Sequence, residues 1–124
     1  MAEWTLPSRG GSPRQARRLA ARWLADRQVA GPGVDNVILV CSELVTNVVL
    51  HASGPVVLSV GLSDRGVLVE VGDSAPDGGM LGPQGSGVRA TSGRGLAIVE
   101  AVSSEWGVTV EPHSKTVWAV VEAD

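Results

Sequence analysis

The sequence contains no Phe and no Tyr, and its only aromatic side chains are four Trp. Its core must therefore be built from Val, Leu, Ile, Ala and Trp, and Val-rich runs favour β-strands. There is a single cysteine, Cys41, so no internal disulfide can form. Cys41 lies on an apolar helical face, which predicts a buried small hydrophobic residue.

Long apolar runs and a strong charge of one sign are also lacking. No N-terminal segment resembles a signal peptide, and no run approaches the ~20 residues of a membrane span. We therefore expect a soluble, cytoplasmic protein without a membrane partner. The net charge of −3 argues against general nucleic-acid binding. Six Arg and one Asp lie between Arg9 and Arg27, which predicts either a docking face for a protein partner or a solvated helix face.

The length and patterning predict one domain spanning residues 1–124. Ser12 is the expected N-cap of a first helix, with Pro13 in its first turn and Gln15 closing a capping box; AGPG at 30–33 ends it. The expected elements are a strand at 2–6, this helix, a helix at about 34–52, strands at 56–63 and 67–73, a helix at about 95–104, and strands at 106–111 and 115–122. Short turns between strands predict a mixed, mostly antiparallel sheet covered on one face by about three helices, a two-layer α/β (α+β) sandwich.

The stretch SELVTNVVLHA at 42–52 places Glu43, Asn47 and His51 four residues apart on one helical ridge. Apolar residues flank this ridge, so a carboxylate there must be paired, hydrated or functional. The alternative is that the ridge is the solvent side of an amphipathic helix.

Asp73 ends a strand in phase with Val67, Val69 and Val71, whereas Glu70 points the other way. A carboxylate that faces inward and opens into a Gly-rich loop predicts a hydrogen bond to a ligand, or else a turn or helix cap. The segment GSGVRATSGRGLAIVEAV at 85–102 is a Gly-rich stretch that leads into a helix N-terminus. Backbone N–H groups at such a position favour phosphate.

These three motifs, in this order, resemble the GHKL ATPase superfamily, and within it the anti-sigma factor/serine kinase type common in actinobacteria. SELVTNVVLHA is similar to the family's Asn box, VEVGDSAP to its first glycine box, and SGRGLAIVEAVSSEWGV to its second. SKTVWAVV and WTLPSRGGSPRQARRLAARWL resemble its closing strand and its opening, so the resemblance covers nearly the whole chain. It implies a Bergerat-type ATP-binding fold.

The resemblance also implies roles for single residues. Asn47 would coordinate Mg²⁺, Glu43 would be the general base, and Asp73 would accept a hydrogen bond from the adenine amino group. The remaining residues that it assigns to ATP binding are Ser74, Pro76, Gly93, Arg94, Gly95, Leu96 and Thr116. Thr116 would support adenine near the aspartate, His51 would serve packing and not phosphate acceptance, and about 77–92 would form an ATP lid.

The function implied is a serine/threonine-protein kinase that binds a sigma factor and phosphorylates a STAS-type anti-anti-sigma partner. A non-kinase ATP-binding regulatory module fits the same residues. A histidine kinase does not, because the chain has no separate helix pair to carry a phosphoacceptor histidine. Homodimers are common among characterised relatives, although no residue pattern here points to one. Two departures stand out: Asp73-Ser74-Ala75-Pro76-Asp77 replaces the usual Asp-x-Gly-x-Gly, and Ser114 replaces a glycine.

Overall fold

The structure is a computed structural model that describes residues 1–51, 54–73, 93–112 and 114–123. These residues form five strands and three helices. The elements are β1 Ala2–Leu6, α1 Ser12–Asp26, α2 Val34–His51, β2 Val56–Ser63, β3 Gly66–Asp73, α3 Gly93–Val102, β4 Glu105–Glu111 and β5 Ser114–Val121. The predicted elements are all present, with boundaries shifted by no more than two residues for the second and third helices and for every strand.

The strands form one sheet in the order β1-β2-β3-β5-β4. Every pairing between them is antiparallel, so the described sheet is not mixed, although the predicted two-layer α/β class is confirmed. Burial alternates strictly along β3 and β5, as expected for strands with one face on a core and one face outward. We call the helix-facing side of the sheet the inner face and the other side the outer face.

Helix α2 is the centre of the helical layer. It packs against α1 and α3 and against β2, β3 and β5. Its buried apolar residues continue into those of the inner face to form one core. Each fully buried Val or Leu contributes about 1.5 to 3 kcal/mol relative to its exposed state, so this layer-to-layer contact is the main source of stability.

The first helix differs from its prediction at both ends. Gly11, not Ser12, occupies the N-cap position, and no described side chain caps the helix. Ser12 is buried in the helix, and its hydroxyl donates to the carbonyl of Pro7 instead. The helix ends at Asp26, before the glycines at 31 and 33, with Gln28 in the left-handed conformation at φ 59°.

We call the two ends of the sheet the turn end and the site end. The turn end holds the β2–β3 turn at 64–65, where Val67 pairs with Leu62 and Val121. The site end holds Asp73, which pairs with Val56 and Lys115. Because β2 begins at Val56, shortly after α2 ends at His51, the C-terminal end of α2 also lies at the site end.

Candidate functional site

The polar ridge of α2 is brought to the site end. Asn47 is buried, with 4% of its surface exposed, so the ridge is not the solvent side of an amphipathic helix at this point. Its Oδ1 atom accepts no hydrogen bond from the described residues, and the Nε2 atom of His51 is likewise buried without a partner among them. A buried polar atom left in this state costs about 1 to 3 kcal/mol. The ridge therefore has two buried polar atoms that a bound ligand could satisfy.

Neighbouring polar residues on α2 are satisfied within the helix itself. The Ser42 hydroxyl donates to the carbonyl of Leu39 over 3.0 Å, and the Thr46 hydroxyl donates to the carbonyl of Ser42 over 2.7 Å. Such bonds back to the preceding turn are the usual arrangement for hydroxyls inside helices. The contrast singles out Asn47 and His51 among the polar side chains of this segment.

Glu43 lies one turn before Asn47 and is half-buried. Side chains four residues apart on a helix have their Cβ atoms about 5 to 6 Å from each other, so the carboxylate and the carboxamide can act on one ligand. Leu39 and Leu50 flank the ridge and remain 36% and 68% exposed. The carboxylate thus stands between apolar surface and a buried amide.

The Asn47 carboxamide fits a magnesium ligand. Mg²⁺ prefers hard oxygen ligands, and it usually takes only one or two from the protein while phosphates and waters supply the rest. An oxygen that is buried and receives no hydrogen bond from the described part of the chain matches that need. Within the described ranges, no group of three His, Cys, Asp or Glu side chains is arranged to hold a metal ion. The Asn47 oxygen is therefore suited to an Mg²⁺ ion that takes its other ligands from phosphates and waters.

Asp73 ends β3 on the inner face and is 3% exposed, as the strand phase predicted. Its cross-strand neighbour on β5 is Lys115, which is also 3% exposed. Burial lowers the pKa of the Lys115 ammonium group, and the negative charge of Asp73 opposes that shift by raising it. The two side chains form a buried electrostatic pair.

Sequence reasoning missed Lys115, and the signal that could have found it is the same alternation that found Asp73. Lys115 is in phase with Val117, Ala119 and Val121, which are all buried. The motif match pointed to Thr116, the next residue, and not to Lys115. A lysine in register with buried valines must put its charge beside a partner.

Thr116 lies on the outer face, so the structure does not bring its side chain together with Asp73. It pairs with Gly72, and a Cβ built on Gly72 would lie 3.2 Å from the Thr116 hydroxyl oxygen. Side chains of adjacent residues on a strand point to opposite faces of the sheet. Thr116 shares the face of Gly72, so Asp73 lies on the other face. The structure therefore places the Thr116 and Asp73 side chains on opposite faces of the sheet, and the role of Thr116 in ATP binding stays a prediction.

The second glycine box opens helix α3, which begins with Gly93, Arg94 and Gly95. The end of α3 is tied to the turn end, where the Ser104 N–H donates to the carbonyl of Val120. Its first residues therefore lie away from that end, and a helix of ten residues spans about 15 Å. Leu96 is 8% exposed and belongs to the hydrophobic core, so its side chain is a packing residue.

Several predicted features lie outside the described residues. They are Ser74, Pro76 and the ATP lid at about 77–92. They stay predictions, as do the phosphate contacts assigned to Gly93, Arg94 and Gly95.

Two further features of the sequence have clear positions. Burial raises the pKa of the Cys41 thiol to about 12, so this cysteine is an inert core residue as predicted. Four arginines of α1 are exposed and Arg27 lies over the Trp23 ring at 5.5 Å from its centroid. The basic face is thus on the surface, which fits both a docking face and a solvated one.

Comparison with known proteins assigns the family. The model for the histidine kinase-like ATPase domain matches residues 6–121. The chain therefore belongs to the histidine kinase-like ATPase domain family, which confirms the resemblance to GHKL-type proteins. A search of curated protein sequences found no match.

Two solved structures share the fold. The RsbU and RsbW domains of Rv1364c from Mycobacterium tuberculosis match with a TM-score of 0.70 and 21% identity, over 98% of this chain. This chain spans only 32% of that chain. A chain of the SiaB–SiaC complex from Pseudomonas aeruginosa matches with a TM-score of 0.66 and 15% identity, over 98% of this chain and 89% of the matched chain.

Helix α2 also meets the length and composition of a membrane span, contrary to the expectation that no segment would come close. Core helices of globular domains meet the same criteria. Here α2 packs against two helices and three strands, and it carries the buried Asn47. Its apolar character is explained by its place in the core.

Proposed function

We propose that this protein binds MgATP at the site end of the sheet and acts as an anti-sigma factor and serine/threonine-protein kinase. The observation that carries the proposal is the buried Asn47 Oδ1 atom, which accepts no hydrogen bond from the described residues and lies one turn after Glu43, at the same end of the sheet as Asp73. Membership of the histidine kinase-like ATPase family supplies the nucleotide class.

The proposed roles follow from the chemistry of each group. Asn47 would hold the Mg²⁺, and this ion would neutralise charge on the ATP phosphates when the nucleotide is bound. Asp73 accepts a hydrogen bond from the adenine amino group. Backbone N–H groups at Gly93, Arg94 and Gly95 lie at a helix N-terminus, where they favour phosphate.

Glu43 is proposed as the general base. Its carboxylate takes the proton of a serine or threonine hydroxyl on the partner while that oxygen attacks the γ-phosphorus and ADP leaves. Phosphoryl transfer needs positioning and charge neutralisation more than covalent participation, so one base and one metal ligand suffice. The half-buried position of Glu43 beside Leu39 and Leu50 leaves its carboxylate within reach of a docked partner.

The partner proposed is a STAS-type anti-anti-sigma protein, with a sigma factor as the second binding partner, in the cytoplasm. One of the structural relatives was solved in complex with a second protein. The alternative is a non-kinase module whose nucleotide state controls a protein contact. In this alternative every residue keeps its proposed ATP-binding role, and Glu43 does not act as a base.

Calorimetric titration of MgATP into the wild type and into Asn47→Ala tests the nucleotide site. We expect binding by the wild type, and loss of the Mg²⁺ dependence in the variant. Thr46→Val is the matched control, because the Thr46 hydroxyl is already satisfied by the helix backbone. Absence of binding to all three proteins would show that the chain is not an ATP-binding protein on its own.

Glu43→Ala separates the two functional alternatives. If the protein is a kinase, this variant binds MgATP with wild-type affinity but no longer transfers labelled phosphate to a STAS-type protein from the same genome. General base catalysis contributes about 10²- to 10⁴-fold, so the loss is easily measured. Transfer at an unchanged rate would exclude Glu43 as the base, and no transfer by the wild type to any such partner would favour the binding module.

A further inference from the structure

The inner face of the described sheet carries two charged residues, and they are neighbours. At the site end, one row of cross-strand partners runs through Leu6, Val56, Asp73, Lys115 and Val110. Every other inner-face position on the five described strands is apolar. The pair is therefore an isolated polar feature in an otherwise apolar surface, at the place where the base of a nucleotide is proposed to bind.

Neither residue can reach solvent easily, since each is 3% exposed. Directly paired residues on antiparallel strands have Cα atoms about 4.5 to 5.5 Å apart, so the two side chains share one environment. The other strand neighbour of Lys115 is Val110, whose side chain offers no polar atom. A buried cation is retained only where a partner compensates its lost hydration, and Asp73 provides that compensation.

The position of the Asp73 carboxylate oxygens decides which group this residue can recognise. The adenine amino group is a donor, so it needs an acceptor oxygen that faces it. Asp73 is buried between Val56 on β2 and Lys115 on β5. Of these two strand neighbours, Lys115 is the one whose side chain can hold the carboxylate by its charge.

We propose that Lys115 is a positioning residue for base recognition: its ammonium group holds the Asp73 carboxylate in the orientation that accepts a hydrogen bond from the amino group of adenine. This deepens the proposed function and rests on it. Lys115 acts through Asp73 and does not replace it, because an ammonium group has three donors and no acceptor. The carboxylate that recognises the base is thus positioned by a residue of the adjacent strand.

A purely structural role predicts something different. If the pair only closed the end of the core, removing Lys115 would weaken binding of every nucleotide to a similar extent. If Lys115 maintains the acceptor, its removal weakens ATP more than an analogue that lacks the amino group. The discrimination between the two nucleotides therefore separates the roles, independently of any change in stability.

The experiment measures dissociation constants for ATP and for purine riboside 5′-triphosphate, which lacks the 6-amino group, at one Mg²⁺ concentration. The proteins are the wild type, Lys115→Met, Lys115→Arg, Asp73→Asn and the control Val110→Thr. We expect the wild type to prefer ATP roughly tenfold or more, since the hydrogen bond is to a charged group. Lys115→Met should reduce the preference below about threefold, like Asp73→Asn, while the Arg and Val110 variants retain it.

A Lys115→Met variant that keeps the wild-type preference overturns the proposal, even if it binds both nucleotides more weakly. If that variant does not fold, Lys115→Gln removes the charge with a polar side chain and gives the same readout. A wild type that binds neither nucleotide removes the proposed function, and this inference with it. A wild type that discriminates while Lys115→Met discriminates equally leaves the proposed function intact and removes only the role of Lys115.

Discussion

The two ends of the sheet place their charges in opposite ways. At the turn end, Arg65 and Glu105 form an ion pair with side chains 72% and 44% exposed, while the inner face beneath is apolar. At the site end, Asp73 and Lys115 are buried on the inner face. An exposed ion pair changes the free energy of unfolding little. A buried charge lowers it by several kcal/mol unless a partner compensates the lost hydration. Among the described residues of the sheet, the buried charges therefore lie at the end where ATP is proposed to bind.

At the turn end, a change in packing at one glycine should have a large effect on stability. Gly66 has φ +145°, and a Cβ there would lie 2.3 Å from the carbonyl oxygen of Val121. We expect Gly66→Ala to lower the free energy of unfolding by about 3 kcal/mol, measured by urea denaturation. The control is Gly54→Ala, where φ is +95° but no described atom lies within 4 Å, so only the backbone strain of about 1 kcal/mol remains. Equal losses in the two variants would mean that the close contact at Gly66 is not what matters.

At the site end, a substitution of Asn47 should change stability in the opposite direction. Asn47→Leu removes a buried amide oxygen that has no partner among the described residues, and it introduces a better helix former. We expect an unchanged or higher free energy of unfolding, by up to about 1 kcal/mol, together with loss of Mg²⁺-dependent ATP binding. Thermal melts and calorimetry on the same samples measure both. A loss of more than ~1 kcal/mol would show that the carboxamide supports the fold and would remove this contrast between the ends.

The sequence is a good guide to the fold because its two periodicities are clean. Strict alternation in β3 and β5 determines which of their residues are buried, so the sequence alone predicts the inward position of Asp73. For Asn47 the helical spacing left a solvent-facing ridge as an alternative, and the structure shows that Asn47 is buried. The same alternation applies to Lys115, but the motif match directs attention to Thr116 instead. A motif match identifies a segment of the chain, while the alternation along the strand determines which of two adjacent residues faces inward.

Local caps are the part that the sequence could not determine. Ser12 and Gln15 have the spacing of a capping box, yet the Ser12 hydroxyl bonds to Pro7, because the loop before the helix folds back within reach. The glycines predict a later helix end than the structure has. The N–H groups of Gln28 and Val29 bond to the carbonyls of Ala25 and Leu24, a termination that usually uses glycine.

The C-terminal end of α1 allows a test with a smaller expected effect on stability. Gln28 has φ 59°, a conformation that a residue with a Cβ adopts at a cost. We expect Gln28→Gly to raise the free energy of unfolding by about 0.5 to 1 kcal/mol, measured by urea denaturation. Gln28→Ala is the control and should change little, because it keeps the Cβ. If both variants behave alike, the backbone conformation at this position carries no strain.

The smallest effect is expected for the exposed ion pair. Glu105→Gln removes one charge from the pair with Arg65 at the turn end and keeps the side-chain shape. Because both side chains are largely hydrated, the loss should be under about 0.5 kcal/mol and should vanish at high salt. Urea denaturation at low and high ionic strength measures it. Removing one charge of the buried pair by Lys115→Met should cost about 3 kcal/mol or more and persist at high salt. If the two substitutions cost the same, burial does not distinguish the charges at the two ends of the sheet.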